Sequence, residues 1–239
     1  KENGVKYIIN CAAYTAVDRA EDDVDLCYKI NRDAVKNLGE AANANGAKVI
    51  HISTDYVFDG TNSRPYTEDE AVCPQSVYGK SKAEGEAILM ESCPESIIIR
   101  TAWLYSIYGN NFVKTMMRLG REKDSLNVVG DQTGTPTNAR DLAQAIVAII
   151  DFSERIEFKA GIYHFSNEGV TTWYSFTKEI HRLKDIQCDV QPITTEEYPT
   201  KAKRPQYSVL NKLKIKDTFN LTILPWETSL KECLLEIEA

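Results

Sequence analysis

The feature that most constrains the fold is a set of short segments that are apolar on both faces. They are "VKYIIN" (5–10), "AKVIHIS" (47–53) and "SIIIRTAWLY" (96–105). A segment with helical character follows each of them. Strands that lack alternating polar residues are typical of a parallel sheet covered by helices on both faces. We therefore predict an α/β fold with a Rossmann-like, doubly wound parallel sheet.

Turn and capping residues divide the chain further. Gly46 is a candidate C-cap for a helix over 23–45, and Ser76 is a candidate N-cap for a helix that ends near Glu91, before Pro94. Further helices are expected over 111–121, 139–150 and 172–183, with short strands over 126–130 and 161–167. Because the pattern loosens after residue 155, we expect a partial dinucleotide-binding domain over 1–155, with 130–152 contributing to the site. A smaller, mainly substrate-binding lobe is expected over 156–239.

Composition excludes several classes of protein. The net charge of −7 disfavours a protein that binds a nucleic-acid backbone, and no apolar run is long enough to span a membrane. The six cysteines form no CxxC pair, and the three histidines are scattered singly. We therefore predict reduced thiols in a cytoplasmic protein, without a zinc site.

Tyr78 lies four positions before Lys82, so the two residues share one face of the predicted helix. The spacing alone is not informative, because Tyr174 and Lys178 repeat it. Only the first pair follows a hydroxyl-rich strand end, at Thr54. There, a lysine cation would lower the pKa of the phenol, Thr54 would hydrogen-bond a substrate oxygen, and Tyr78 would protonate that oxygen as hydride reaches the carbon. The second pair is interpreted as one face of an amphipathic helix.

Several ordered motifs carry a resemblance to a known family. "STDYVFDG", "YGKSKAEGE", "RTAWLY" and "GDQTGTPT" resemble the extended short-chain dehydrogenase/reductases, and more narrowly the dTDP-4-dehydrorhamnose reductase family. "NCAAYTAVDRAE" and "RPQYSVLNKLK" fit the same family, so the resemblance spans nearly the whole chain.

The resemblance implies residue roles. The catalytic set would be Thr54, Tyr78 and Lys82, with Lys82 also holding the nicotinamide ribose. Ala12 and Ala13 would lie beside the cofactor together with Tyr78 and Lys82, because small side chains let a ligand approach the backbone. The sugar site would be lined by Thr15, Val17, Asp55 and Trp103. For some of these positions structural roles stay open: buried alanines at 12 and 13, and a core tryptophan at 103. Asn31 matches a family asparagine near the active site, with helix packing as the alternative, and Arg100 is interpreted as a structural ion partner.

The activity implied is reduction of the 4-keto group of a nucleotide-linked 6-deoxysugar, most specifically dTDP-4-dehydro-L-rhamnose, by NADPH or NADH. Two alternatives stay open: another nucleotide-sugar 4-ketoreductase, and a non-catalytic regulatory subunit of methionine adenosyltransferase with the same fold. The resemblance also allows a homodimer and a bound magnesium ion. No residue of this sequence is assigned as a ligand of that ion.

The sequence departs from the family in one respect. It contains no GxxGxxG or GxGxxG motif, which in a dinucleotide-binding fold follows the first strand and receives the pyrophosphate. The first apolar segment matches the fourth strand of such a sheet. We therefore expect that the N-terminal βαβαβ half is absent from this sequence, and that the chain is part of a longer protein or requires a partner.

Overall fold

The computed structural model describes residues 4–237. Within them lie ten strands: β1 (Tyr7–Asn10), β2 (Lys48–Thr54), β3 (Ser96–Thr101), β4 (Leu104–Tyr105), β5 (Ser125–Val129), β6 (Thr133–Gly134), β7 (Thr137–Asn138), β8 (Gly161–His164), β9 (Thr171–Thr172) and β10 (Asp189–Ile193). The same residues form nine α-helices: α1 (Val17–Ala20), α2 (Val24–Tyr28), α3 (Ala34–Ala44), α4 (Val77–Ser92), α5 (Phe112–Glu122), α6 (Ala139–Arg155), α7 (Trp173–Leu183), α8 (Leu213–Phe219) and α9 (Trp226–Glu236).

The predicted parallel α/β sheet is confirmed. Four strands pair in the order β1–β2–β3–β8, and all three pairings are parallel. Side chains from α3 and α4 pack on one face, where Leu89 meets Val49 and Ile98. Side chains from α6 and α8 pack on the other face, against Ile50 and Ile99. Burial on both faces explains why β2 and β3 are apolar throughout.

Helix α4 begins and ends where the sequence predicts. The Ser76 hydroxyl accepts a hydrogen bond from the Gly79 amide at 3.1 Å, and the helix stops at Ser92, two residues before Pro94. The helix predicted over 23–45 also forms, but as α2 and α3 joined by a π-helical turn, Lys29–Asp33. Gly46 follows it with φ +67°, the left-handed conformation of a C-terminal glycine.

Two predicted strands differ from the structure. β1 was expected to be buried, yet it forms an edge of the sheet within residues 4–237, and its Ile9 is 46% exposed. The segment 96–105 was expected to be one strand, but it breaks at Trp103, which has φ +49°. This conformation is unfavourable for a bulky residue and ends the extended run. Leu104 and Tyr105 then pair with β7 instead.

The remaining elements form a smaller layer over the carboxyl ends of the sheet strands. β5 pairs in parallel with β10, and α5, α7 and α9 pack together around Phe176 and Leu230. Strand pairing crosses the boundary predicted at residue 155, because β8 completes the main sheet while β5 belongs to the smaller layer. The division of the chain into domains at 1–155 and 156–239 stays a prediction.

Candidate active site

The parallel strands bring three polar segments to one edge of the sheet. β1 ends at Asn10, β2 at Thr54 and β3 at Thr101. Helix α4 starts near this edge and carries Tyr78 and Lys82, one turn apart. The structure therefore places the three predicted catalytic residues at the sheet edge where open α/β folds bind ligands.

Thr54 makes two hydrogen bonds through its hydroxyl oxygen. It donates to Asp55 Oδ1 at 3.0 Å and accepts from the Tyr56 amide at 3.2 Å. The other carboxylate oxygen of Asp55 is buried without a partner among the described residues. Burial raises the pKa of Asp55 from 3.8 to about 6, and the hydrogen bond from Thr54 opposes the rise. When Asp55 is ionised, the single Thr54 proton is thus directed to Asp55 rather than to a ligand.

Tyr78 is buried at the start of α4. Burial raises the pKa of Tyr78, while the Thr54 hydroxyl acts in the opposite direction. Burial is the largest influence, so the net shift is upward, and the lowering expected from Lys82 stays a prediction. The phenol therefore keeps its proton at neutral pH.

Lys82 is 1% exposed and has two hydrogen-bonding partners. Its ammonium group donates to the Ile52 carbonyl at 2.7 Å, and Nζ lies 3.1 Å from His51 Nε2. Burial lowers the pKa of Lys82 from 10.5 to about 8, and Glu86 opposes the shift. Two contacts leave one N–H of an ammonium group for a further acceptor.

The turn after β1 carries the predicted cofactor residues. Ala12 is exposed and Ala13 half-buried, and the Ala12 amide donates to Asn10 Oδ1 at 3.2 Å. Beside it, burial raises the pKa of the Cys11 thiol, and the charge of Lys82 opposes the rise. A ligand could approach the backbone of this turn, and such an approach is compatible with a bound dinucleotide. The roles of Ala12 and Ala13 stay predictions.

Asn31 fixes the next part of this loop. Its Oδ1 accepts from the Tyr14 amide at 2.8 Å, and its Nδ2 donates to the Tyr14 carbonyl at 3.1 Å and to Ser81 Oγ at 3.0 Å. The asparagine lies in the π-helical turn and is fully buried. It therefore ties the loop to α4, a packing role that also positions the site.

The predicted sugar-site residues differ in exposure and in their contacts, and their roles stay predictions. Thr15 is exposed, whereas Val17 is half-buried and packs with Tyr78 and Tyr56. Trp103 stacks on Trp173, with ring centroids 3.5 Å apart and an interplanar angle of 11°. One face of the predicted sugar-binding indole is therefore already covered.

A cavity of about 1030 Å³ extends from Trp103 and Tyr56 under the smaller layer. Aromatic and apolar side chains line one part of it, among them Phe112, Trp173 and Val128, and basic residues line another. Thr54, Tyr78 and Lys82 are not among the lining residues. Tyr56 connects the two regions, since its ring lies edge-on to that of Tyr78 at 5.5 Å.

The basic residues of the cavity include Arg204, which the sequence reasoning did not single out. Arg204 donates to the Tyr56 hydroxyl at 2.8 Å and forms an ion pair with Asp18 on α1. Lys201, also in the cavity lining, pairs with Asp22. Arg204 lies in the motif "RPQYSVLNKLK", and this was the signal that could have identified it.

Comparison with known proteins decides the family. A profile described as the RmlD substrate binding domain matches residues 1–239. The chain belongs to this family. A dTDP-4-dehydrorhamnose reductase from Aggregatibacter actinomycetemcomitans is 44% identical over 94% of this chain and 79% of its own length. The predicted resemblance to dTDP-4-dehydrorhamnose reductases is thereby confirmed.

Solved structures of family members agree with the fold. A dTDP-4-dehydrorhamnose reductase from Clostridium acetobutylicum is 47% identical, with a TM-score of 0.92 over 98% of this chain and 81% of that one. Another from Bacillus anthracis, solved with NADP, is 41% identical, with a TM-score of 0.93 over 98% of this chain and 82% of that one. The alternative of a regulatory subunit of methionine adenosyltransferase is not favoured by these relatives.

Other predictions concern residues and properties away from the candidate active site. Lys178 Nζ lies 5.6 Å from the centroid of the Tyr174 ring, so the two residues share one face of α7 in the smaller layer. Arg100 pairs with Glu86 and is the structural ion partner expected from the sequence. Within residues 4–237 no group of three or more metal-ligating side chains occurs, so magnesium gains no support. In the same part of the chain, no helix combines the length and apolarity needed to cross a bilayer.

Proposed function

We propose that this chain reduces the 4-keto group of dTDP-4-dehydro-L-rhamnose to give dTDP-L-rhamnose, with NADPH or NADH as the hydride donor. The observation that carries the proposal is the grouping of Thr54, Tyr78 and Lys82 at the carboxyl edge of a parallel sheet, in a chain closely similar to reductases of that name. The NADP in the Bacillus anthracis relative favours NADPH.

Tyr78 is proposed as the proton donor. Its raised pKa keeps the phenol protonated until negative charge develops on the substrate oxygen. The nicotinamide, when bound, supplies hydride to C4 of the sugar. Because proton donation by Tyr78 leaves a phenolate, a positive charge on Lys82 one helical turn away would stabilise it.

Lys82 is also proposed to bind the nicotinamide ribose through the N–H that neither Ile52 nor His51 engages. Ala12 and Ala13 would lie against the cofactor. Thr54 would orient the substrate carbonyl when its proton is released from Asp55. The sugar would contact Thr15, Val17, Asp55 and the open parts of Trp103, and the diphosphate would lie near the basic residues of the cavity.

The test measures cofactor oxidation by absorbance with dTDP-4-dehydro-L-rhamnose and with related 4-keto nucleotide sugars. We expect turnover that is fastest with the rhamnose precursor, and faster with NADPH than with NADH. The absence of turnover with every 4-keto nucleotide sugar, in a preparation that binds NADPH, would contradict the proposal.

Compartment and assembly are part of the same proposal. All six cysteines are free, and free thiols are typical of a reducing compartment such as the cytoplasm. The homodimer rests on the family resemblance alone. Sedimentation at micromolar concentration should give a mass of about twice 26.9 kDa, and a monomer mass would contradict the homodimer.

A further inference from the structure

Asn10, His51 and Lys82 form a chain of hydrogen-bonding side chains that joins the turn after β1 to α4; His51 and Lys82 are buried, and Asn10 is half-buried. His51 Nδ1 lies 3.0 Å from Asn10 Nδ2, and His51 Nε2 lies 3.1 Å from Lys82 Nζ. The chain ends at the Ala12 amide, which donates to Asn10 Oδ1 at 3.2 Å. His51 is fully buried, in a strand that is otherwise mostly apolar, and a buried polar group in such a place needs partners.

The donors and acceptors in this chain fix its direction. The Ala12 amide can only donate, so the Asn10 atom that faces it is the oxygen, and the amide nitrogen faces His51. His51 Nδ1 must then accept, and a neutral imidazole with Nδ1 as acceptor carries its hydrogen on Nε2. That hydrogen points at Lys82 Nζ. Only a neutral amine can accept it.

A charged Lys82 requires the opposite direction. An ammonium group donates to Nε2, so the hydrogen of His51 moves to Nδ1 and needs an acceptor. Asn10 supplies one by turning its oxygen toward the ring, and the Ala12 amide then loses its partner. His51 does not take the charge itself, because burial and the charge of Lys82 hold its pKa well below 6.5.

We propose that His51 is a positioning residue that couples the charge of Lys82 to the turn at Ala12. When one proton is taken up, the Nε2–H bond breaks and an N–H bond forms at Lys82 Nζ, while the proton from solvent forms an N–H bond at His51 Nδ1. The ring is neutral before and after. The consequence for catalysis rests on the proposed function. Protonation of Lys82 would free the Ala12 amide, which lies in the turn proposed to contact the cofactor.

The surroundings of Lys82 set the pH of this change. The groups that act on its charge come from three elements, in addition to His51 on β2: Cys11 after β1, Cys27 on α2 and Glu86 on α4. Burial is the largest influence and lowers the pKa of Lys82 to about 8. The exchange of tautomers at His51 is therefore expected near pH 8.

The experiment is nitrogen NMR of the full chain labelled with ¹⁵N-histidine, without cofactor or substrate. The sequence has three histidines, and the other two are internal references. His164 Nδ1 faces the Tyr66 carbonyl at 3.1 Å and must carry hydrogen there, whereas His181 Nε2 faces the Met116 carbonyl at 2.9 Å. Replacing each histidine by glutamine assigns the signals.

We expect His51 to carry hydrogen on Nε2 above pH 8 and on Nδ1 below it, while staying neutral throughout. A tautomer that does not change with pH would overturn the proposal. So would formation of an imidazolium at His51 near pH 6.5. Neither result depends on enzymatic turnover, so failure here is distinct from failure of the proposed function.

Two variants test the coupling itself. Asn10→Asp provides a carboxylate that accepts from Nδ1–H and from Ala12, so hydrogen should stay on Nδ1 at every pH. Lys82→Met should leave it on Nε2 at every pH. Asn43→Asp, an exposed change of the same charge on α3, should keep the wild-type transition. A wild-type transition in folded Asn10→Asp or Lys82→Met protein would overturn the proposal.

Discussion

At the scale of single residues, Asp55 lowers the stability of the folded protein when it is ionised, although it lies in the candidate active site. A buried carboxyl is unfavourable when charged if one of its oxygens has no partner, as is the case for Asp55 within residues 4–237. Its pKa is raised from 3.8 to about 6. The folded state therefore binds this proton more tightly than the unfolded state. The stability linked to Asp55 is present below about pH 4 and is lost as the pH rises to about 6 and above.

Asp55→Asn tests this account. A shift of that size corresponds to about 3 kcal/mol when fully expressed. Because the unfolded-state carboxyl is already more than half ionised at pH 4, the free energy of unfolding of the variant relative to wild type should rise by about 2 kcal/mol between pH 4 and pH 8. Urea denaturation at both pH values measures it. Asp151→Asn, at an exposed position on α6, is the matched control. An Asp55→Asn difference that is the same at both pH values would contradict the raised pKa.

At the scale of elements, the contact between α4 and β3 includes a buried ion pair. Arg100 donates to both carboxylate oxygens of Glu86, the shortest distance being 2.7 Å, and both side chains are nearly inaccessible. Removing one partner would leave a buried charge without compensation. Replacing both removes the two desolvation costs together.

Arg100→Met alone should therefore lower the free energy of unfolding by about 3–5 kcal/mol. The double variant Arg100→Met/Glu86→Leu should recover most of that loss. Chemical denaturation of wild type, Arg100→Met, Glu86→Leu and the double variant gives the coupling. If the double variant were as unstable as the sum of its single changes, the ion pair would not be the cause.

The same scale shows what the sequence could predict. β2, β3 and α4 were predictable because a strand buried on both faces must be apolar, and because Ser76 and Pro94 act locally on the helix. The break at Trp103 was not, since its positive φ accompanies stacking on Trp173, which is 70 positions away. The pairing of β10 with β5 also depends on distant residues, and β10 was not predicted.

The site followed the same pattern. The grouping of Thr54, Tyr78 and Lys82 was predictable because parallel strands end at one edge and one helical turn separates Tyr78 from Lys82. The hydrogen bonds that set their properties were not, because Asp55 and His51 act through burial. A histidine within the apolar segment "AKVIHIS" was nevertheless a usable signal of a buried polar partner.

At the scale of the whole molecule, Arg204 joins the C-terminal part of the chain to the main sheet. It contacts the hydroxyl of Tyr56, which follows Asp55, and pairs with Asp18 on α1, at the cavity. Since the proposed substrate carries a diphosphate, this guanidinium is a candidate for its recognition. Binding there would involve both parts of the fold.

Arg204→Met should raise the KM for the nucleotide sugar by about tenfold, equivalent to about 1.4 kcal/mol, with a smaller effect on kcat. Steady-state kinetics with varied substrate measures both. Lys203→Met is the matched control, because Lys203 is exposed and does not line this cavity. Equal KM values for wild type and Arg204→Met would show that Arg204 holds the fold without binding the substrate.

The central claim is that the Tyr78 hydroxyl gives its proton to the substrate oxygen. The most direct measurement compares the turnover of wild type and Tyr78→Phe with NADPH and dTDP-4-dehydro-L-rhamnose, after thermal unfolding has shown that the variant is folded. We predict that kcat falls by roughly 10²- to 10⁴-fold, as expected for loss of a general acid. Turnover by Tyr78→Phe within about twofold of wild type would contradict the claim.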